Sequence, residues 1–300
     1  MPILNPTITE LAIPLLRTFG GLLGAGLVGI LVAVGLLKDA VLKKQLILRW
    51  CSWALICAVS LFALVAGKVV FSGLCALVAV ACVLEYCKIT ERARAERAIL
   101  SMAAVSFPFL ACFYPQLFGA LALLAALCLT FVSLKQGRTF ETCCISLVAL
   151  AYLPILASHA VLLFKINLIG PALLISVVAS SALANIAAFI FGKLLGGAKL
   201  APEISPNKTW WGVAGSFVGA YFGFGVLAHA TCLSLPLWQL VVVPVVVAIA
   251  GIVGDLFESF LKRSYKKKDA GSWLPGFGGA LDRVDGLLFV VPCVYYLFSF

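Results

Sequence analysis

The sequence predicts an all-α polytopic integral membrane protein, and three observations carry that prediction. Of its 300 residues, 63% are hydrophobic and only 11% are charged. Soluble domains average about 45–50% and about 25%. Mean hydropathy is +1.14. The apolar residues fall in evenly spread runs, and about 20 such residues suffice to cross about 30 Å of hydrocarbon. A single membrane domain over 1–300 is expected, with no soluble domain of any size.

The first span is expected from Phe19 to Leu37. The residues before it hold Glu10 and a lone Arg17. They lack the basic start and small-residue cleavage site of a signal peptide, so this span is expected to be retained. Further spans are expected at about 48–66, 69–86, 99–114, 116–134, 142–161, 168–191, 210–233, 238–261 and 284–300. The fourth and tenth are short, and only Tyr114-Pro115-Gln116 separates the fourth from the fifth. The count is therefore eight to ten.

Charge orients these spans. With the N-terminus outside and ten spans, 19 of the 22 Lys/Arg fall in inside loops, leaving Arg17, Lys68 and Lys165 outside. This is the positive-inside bias, and it places both termini on the non-cytoplasmic side. The net charge of +10 then reflects loops facing anionic headgroups. Nucleic acid is not an expected partner, because no loop is long enough to build a reading module. Trp210, Trp211, Trp238 and Trp273 stand at span edges or in loops and fit an interfacial aromatic belt. The 11 cysteines form no CxxC pair and no Cys/His cluster. Most act as small hydrophobes inside apolar runs, which argues against a disulfide framework or a thiolate metal site.

The acidic residues are distributed quite differently. Of five Asp, only Asp39 lies upstream; Asp255, Asp269, Asp282 and Asp285 fall in the last 46 residues. Carboxylates in or beside a span are costly and mark functional candidates. In the run GIVGDLFESFLKR, Asp255, Glu258, Ser259 and Lys262 share one helical face. An intrahelical ion pair would account for Glu258 and Lys262. It would not account for Asp255, one turn deeper, which needs a cation. In GGALDRVDG, Asp282 and Asp285 stand at the start of the last span, where helix-dipole capping is the simplest explanation. The neighbouring PGFGG adds another ingredient. Gly278 and Gly279 let backbone approach a ligand closely and can aim N–H groups at phosphate. Lys262, Arg263, Lys268 and Arg283 supply matching positive charge. Magnesium is held by one or two carboxylates plus substrate phosphates, and this stretch has the parts for that. Upstream, FGKLLGGAKLAPEISPNKTWWG is a basic loop with Ser205, Lys208 and Thr209 at its end. It opens a helix, and a helix N-terminus is a ready anion site.

Together the two stretches resemble the signature of the phosphatidate cytidylyltransferase (CDP-diacylglycerol synthase) family, in its bacterial form. The C-terminal match comprises Ser259, Lys262, Arg263, Lys268, Asp269, Pro275, Gly276, Gly278, Gly279, Asp282, Arg283 and Asp285. The upstream KLAPEISPNKTWWG is similar to the loop that precedes it in that family. The resemblance covers about residues 170–300, so 166–300 would carry the chemistry and 1–165 the preceding spans. Two positions depart from the pattern: Phe277 stands where the family usually has His, and Asn185 where it usually has Asp. The implied reaction is CMP transfer from CTP to phosphatidate at the cytoplasmic face of the inner membrane. The resemblance implies magnesium on Asp255 and Asp282, with Asp285 beside them, and allows a second cation and a homodimer. Lys262 and Arg263 would serve the reaction. Ser205, Lys208, Thr209, Lys268, Gly278, Gly279 and Arg283 would bind substrate. Asn185, Glu258 and Asp269 stand at the margin of the assignment. Two other readings share some of these features: a CTP-dependent lipid-alcohol kinase, and an inactive or transporter-like membrane protein.

Overall fold

The computed structural model describes residue 24 and residues 40–300, apart from 138, 167–168, 232, 268–269, 272–277 and 300. The expected first span, 19–37, and the positions Lys268, Asp269, Trp273 and Phe277 therefore lie outside the described residues, whereas Gly24 alone of that span is placed, in helical conformation.

Each of the other nine expected spans is a helix. They are α1 (Ala40–Ala66), α2 (Lys68–Ile89), α3 (Arg94–Phe113), α4 (Phe118–Lys135), α5 (Phe140–Leu150) continued by α6 (Leu156–Phe164), α7 (Gly170–Leu195), α8 (Trp210–Ala230), α9 (Leu237–Ser264) and α10 (Leu281–Ser299). Among the described residues, seven of these segments are long and apolar enough to cross a membrane. The two that fall short are α1, whose apolar part is Ala54–Ala66, and α10, which opens on Asp282, Arg283 and Asp285. An all-α polytopic architecture follows.

Local chemistry sets the breaks. Pro115 starts a one-turn 3-10 helix, Pro115–Leu117, between α3 and α4, so the weakest expected boundary is real. Pro154 lacks an amide hydrogen and cannot continue the ladder. The chain accommodates it with a π turn at Ala151–Ile155, joining α5 to α6 without ending the span. The loop after α7 is not wholly irregular: Lys199–Ala201 (β1) and Ser205–Thr209 (β2) form an antiparallel hairpin. Thr209 then caps α8, its hydroxyl accepting from the Gly212 amide at 3.1 Å.

Packing follows membrane rules, in which small residues let helices approach closely. A Cβ on Gly215 would stand 2.6 Å from the Ala187 carbonyl oxygen, and one on Gly223 2.8 Å from Ser180 Cα. The Ser180 hydroxyl donates across the same seam to the Ala220 carbonyl at 2.8 Å. By contrast α4 sits at the rim, with Leu123, Leu127 and Phe131 about two-thirds exposed, as a lipid-facing helix should be. Two buried clusters make the interior. One joins α6 through α10 around Leu173, Phe224, Val247 and Val290. The other joins α2, α3, α5 and the π turn around Tyr86, Leu100, Leu150 and Leu153, and reaches Leu261, Ala270 and Leu281. The second cluster is the floor on which the charged residues of α9 and α10 rest.

Candidate active site

The site begins at a helix crossing. A Cβ on Gly254 of α9 would stand 2.6 Å from the Asp285 carbonyl oxygen and 2.8 Å from Gly286 Cα. A Cβ on Gly286 of α10 would stand 3.2 Å from Asp255 Oδ1. Two glycines thus bring the backbones of α9 and α10 together and set Asp255 beside the start of α10. Tyr152, from the π turn, braces the crossing with its ring 4.8 Å from that of Phe257 and 5.8 Å from that of Phe289. Its hydroxyl is buried with no hydrogen-bond partner among the described residues.

Two lysines face the carboxylates. Lys208, at the end of the hairpin, reaches Asp255 Oδ2 at 3.1 Å, and both side chains are about one-quarter exposed. Lys262 bridges two acids, with Nζ 2.7 Å from Glu258 Oε2 and 2.8 Å from Asp282 Oδ1. Glu258 is buried, and its other oxygen, Oε1, has no hydrogen-bond partner among the described residues. Asp255, Glu258 and Asp282 therefore share two lysines, while the Asp285 carboxylate accepts from the Gly286 amide at 2.8 Å.

Asp282 also holds backbone on either side of the glycine-rich stretch. Its carboxylate accepts from the Gly279 amide at 2.9 Å and from the Ala270 amide at 3.2 Å. Gly278, at φ +87°, takes the left-handed conformation that favours glycine. A second carboxylate, Glu85 of α2, reaches the same place from the far end of the chain. Its two oxygens accept from the Ala280 amide at 3.0 Å and the Leu281 amide at 2.9 Å.

Most of the residues expected from the sequence meet here: Asp255, Glu258, Lys262, Gly278, Gly279, Asp282, Asp285 and, through the hairpin, Lys208. Others do not. Arg263 lies exposed on the last turn of α9, donating to the Lys267 carbonyl at 3.3 Å. Successive helical residues point about 100° apart, so Lys262 and Arg263 cannot share a face. Ser205 opens β2, paired with Ala201. The Thr209 side chain is spent on the helix cap. Asn185 is exposed on α7. Arg283 follows Asp282 on the first turn of α10, with an exposed side chain that is not without a partner. Glu85 was not anticipated. Its one sequence signal is an acid alone inside an apolar run, ACVLEYC.

Among the described residues, no three His, Cys, Asp or Glu side chains form a ready metal cage. The donor set nevertheless fits magnesium. It consists of hard carboxylate oxygens, in excess over the lysines, with one buried oxygen left unpaired. Magnesium normally completes its shell with substrate phosphates and water rather than with protein alone.

The sequence is similar to known proteins over part of its length. The sequence is 44% identical over 115 residues to a phosphatidate cytidylyltransferase of Brucella suis biovar 1, covering 38% of this chain and 42% of that protein. It is 46% identical over 112 residues to one of Bacillus subtilis, covering 37% and 42%. It is 42% identical over 115 residues to one of Staphylococcus haemolyticus, covering 38% and 44%. The matched segment thus spans about two-fifths of each relative's length. The sequence model of the cytidylyltransferase family extends much further, matching residues 47–300 with the whole charged cluster inside it, and on that match this chain belongs to the cytidylyltransferase family.

Proposed function

We propose that this chain transfers CMP from CTP to phosphatidate, releasing pyrophosphate and forming CDP-diacylglycerol, at the cytoplasmic face of a bacterial inner membrane. The observation that carries the proposal is the junction of α9 and α10. Carboxylates, lysines and glycine amides meet there at one end of a bundle of membrane helices, inside a cytidylyltransferase family match. The relatives' names supply the two substrates.

In this reaction a phosphate oxygen of phosphatidate attacks the α-phosphorus of CTP. A new P–O bond forms as the bond to the β-phosphate oxygen breaks, and the electron pair leaves with pyrophosphate. The nucleophile is already an anion, so positioning and charge compensation dominate over base catalysis. Lys208 and Lys262 supply positive charge at the right depth, and each is held by a carboxylate rather than left mobile. Gly278 and Gly279 bring backbone close to the phosphates, and Asp282 holds the Gly279 amide. Asp255, Asp282 and Asp285 would hold magnesium, which supplies charge neutralisation to the phosphates when bound. The unpaired Glu258 Oε1 gives a second cation a further ligand. Lys208 and Asp255 are about one-quarter exposed, which makes the hairpin side the approach for nucleotide.

The test is labelled CTP with phosphatidate and membranes carrying the chain, with and without magnesium. The α-phosphate label is expected in lipid, only when magnesium is present. Label entering lipid from the γ-position alone would identify a kinase and overturn the proposal.

A further inference from the structure

We infer that Glu85 is a positioning residue for this site: from α2 it holds the first turn of α10 and the glycine-rich stretch so that Asp282 faces Lys262. Glu85 is 2% exposed, and a buried carboxylate is costly unless its charge is compensated. No lysine or arginine pairs with it among the described ion pairs. Both of its oxygens instead take backbone amides, Ala280 N–H on Oε1 and Leu281 N–H on Oε2. These amides belong to the N-terminus of α10, the positive end of the helix dipole, where charge-assisted bonds are strongest.

The neighbouring glycines are shaped around the same carboxylate. A Cβ on Gly279 would stand 2.6 Å from Glu85 Oε2, and one on Gly271 would overlap Oε1. The chain therefore passes over Glu85 at two points, and at Gly279 a Cβ would also stand 2.8 Å from the Gly271 backbone nitrogen. Asp282 follows Leu281 directly, and its own bonds to Gly279 and Ala270 run over the same loop. Two carboxylates thus clamp one loop: Asp282 from within and Glu85 from across the bundle. Without Glu85, the first turn of α10 loses its fixed height, and with it the 2.8 Å contact between Lys262 and Asp282.

The kinetic consequence rests on the proposed cytidylyltransferase reaction; the structural one does not. The experiment compares the full-length wild type, Glu85→Gln and Glu85→Ala in lipid nanodiscs, with thermal unfolding recorded for each. Hydrogen exchange at the Ala280 and Leu281 amides is expected to speed at least tenfold in Glu85→Ala, with Glu85→Gln between it and wild type. The magnesium concentration for half-maximal CDP-lipid formation is expected to rise at least fivefold in the same order. A role limited to stability would lower the active fraction and leave the magnesium requirement where it was. Unchanged exchange at both amides, or lost turnover with an unchanged magnesium requirement, overturns the inference. If Glu85→Ala does not fold, Glu85→Gln decides by the same two readouts. If wild type forms no CDP-lipid at all, the proposed reaction fails, and the exchange data alone decide whether Glu85 holds α10.

Discussion

Lys262 and Lys208 carry different loads, although each is a lysine beside an aspartate. Lys262 contacts Glu258 and Asp282 and is 13% exposed; Lys208 contacts Asp255 alone and is 26% exposed. Removing one partner of a buried charge pair leaves the other uncompensated, at about 3–5 kcal/mol. Lys262→Met is therefore expected to lower both stability and turnover. Lys208→Met should lower turnover at least tenfold with little change in unfolding temperature. Thermal unfolding measured alongside α-labelled CTP incorporation separates the two. Asp282→Asn keeps its shape but removes the charge facing Lys262 and the loop amides, and activity should fall at least a hundredfold. Full activity in that variant would exclude Asp282 from the metal site. These residues were legible in the sequence because acids are so rare in this chain that four Asp in 46 residues stand out. Glu85 was not, since its partners lie 195 positions away and use backbone, which leaves no side-chain pattern to read.

Helices and turns show which sequence signals carried through. Length and hydropathy located the described helices, because a bilayer imposes one length on every span. Pro154 leaves no mark in the hydropathy pattern, since a π turn absorbs a proline without breaking the apolar run. The hairpin at 199–209 is equally silent in the sequence, being too short for an alternating pattern to declare itself. Thr209, a candidate for substrate binding or for a helix cap, caps α8. Thr209→Ala should therefore cost about 1 kcal/mol of stability. Substrate KM values should barely move, and a large rise in the KM for CTP would restore a direct role. At the crossing of α9 and α10, Gly254→Ala would drive a methyl group into the Asp285 carbonyl. Overpacking of this kind costs about 1–3 kcal/mol. Because the crossing also sets Asp255 beside Asp285, turnover should fall further than the unfolding temperature alone would imply.

For the molecule as a whole, the resemblance reached only residues 170–300, yet the second buried cluster ties α2 and α3 to Leu261 and Leu281. The first half thus supplies floor and clamp, and the second half supplies the charges. This division could not be read from spans alone, because an apolar helix that supports a site has the same composition as one that merely fills the bilayer. The distance between Glu85 and its partners also bears on biosynthesis. When α2 leaves the ribosome, the amides of Ala280 and Leu281 do not yet exist, and 195 residues must follow before they do. A bare acid in a membrane helix opposes insertion, by about 2.5–3.5 kcal/mol for Asp at the centre and less towards the end. The nascent helix therefore enters the bilayer carrying an acid without its partners. In a translocon assay, Glu85→Leu should improve insertion of α2 alone while lowering the yield of active full-length protein.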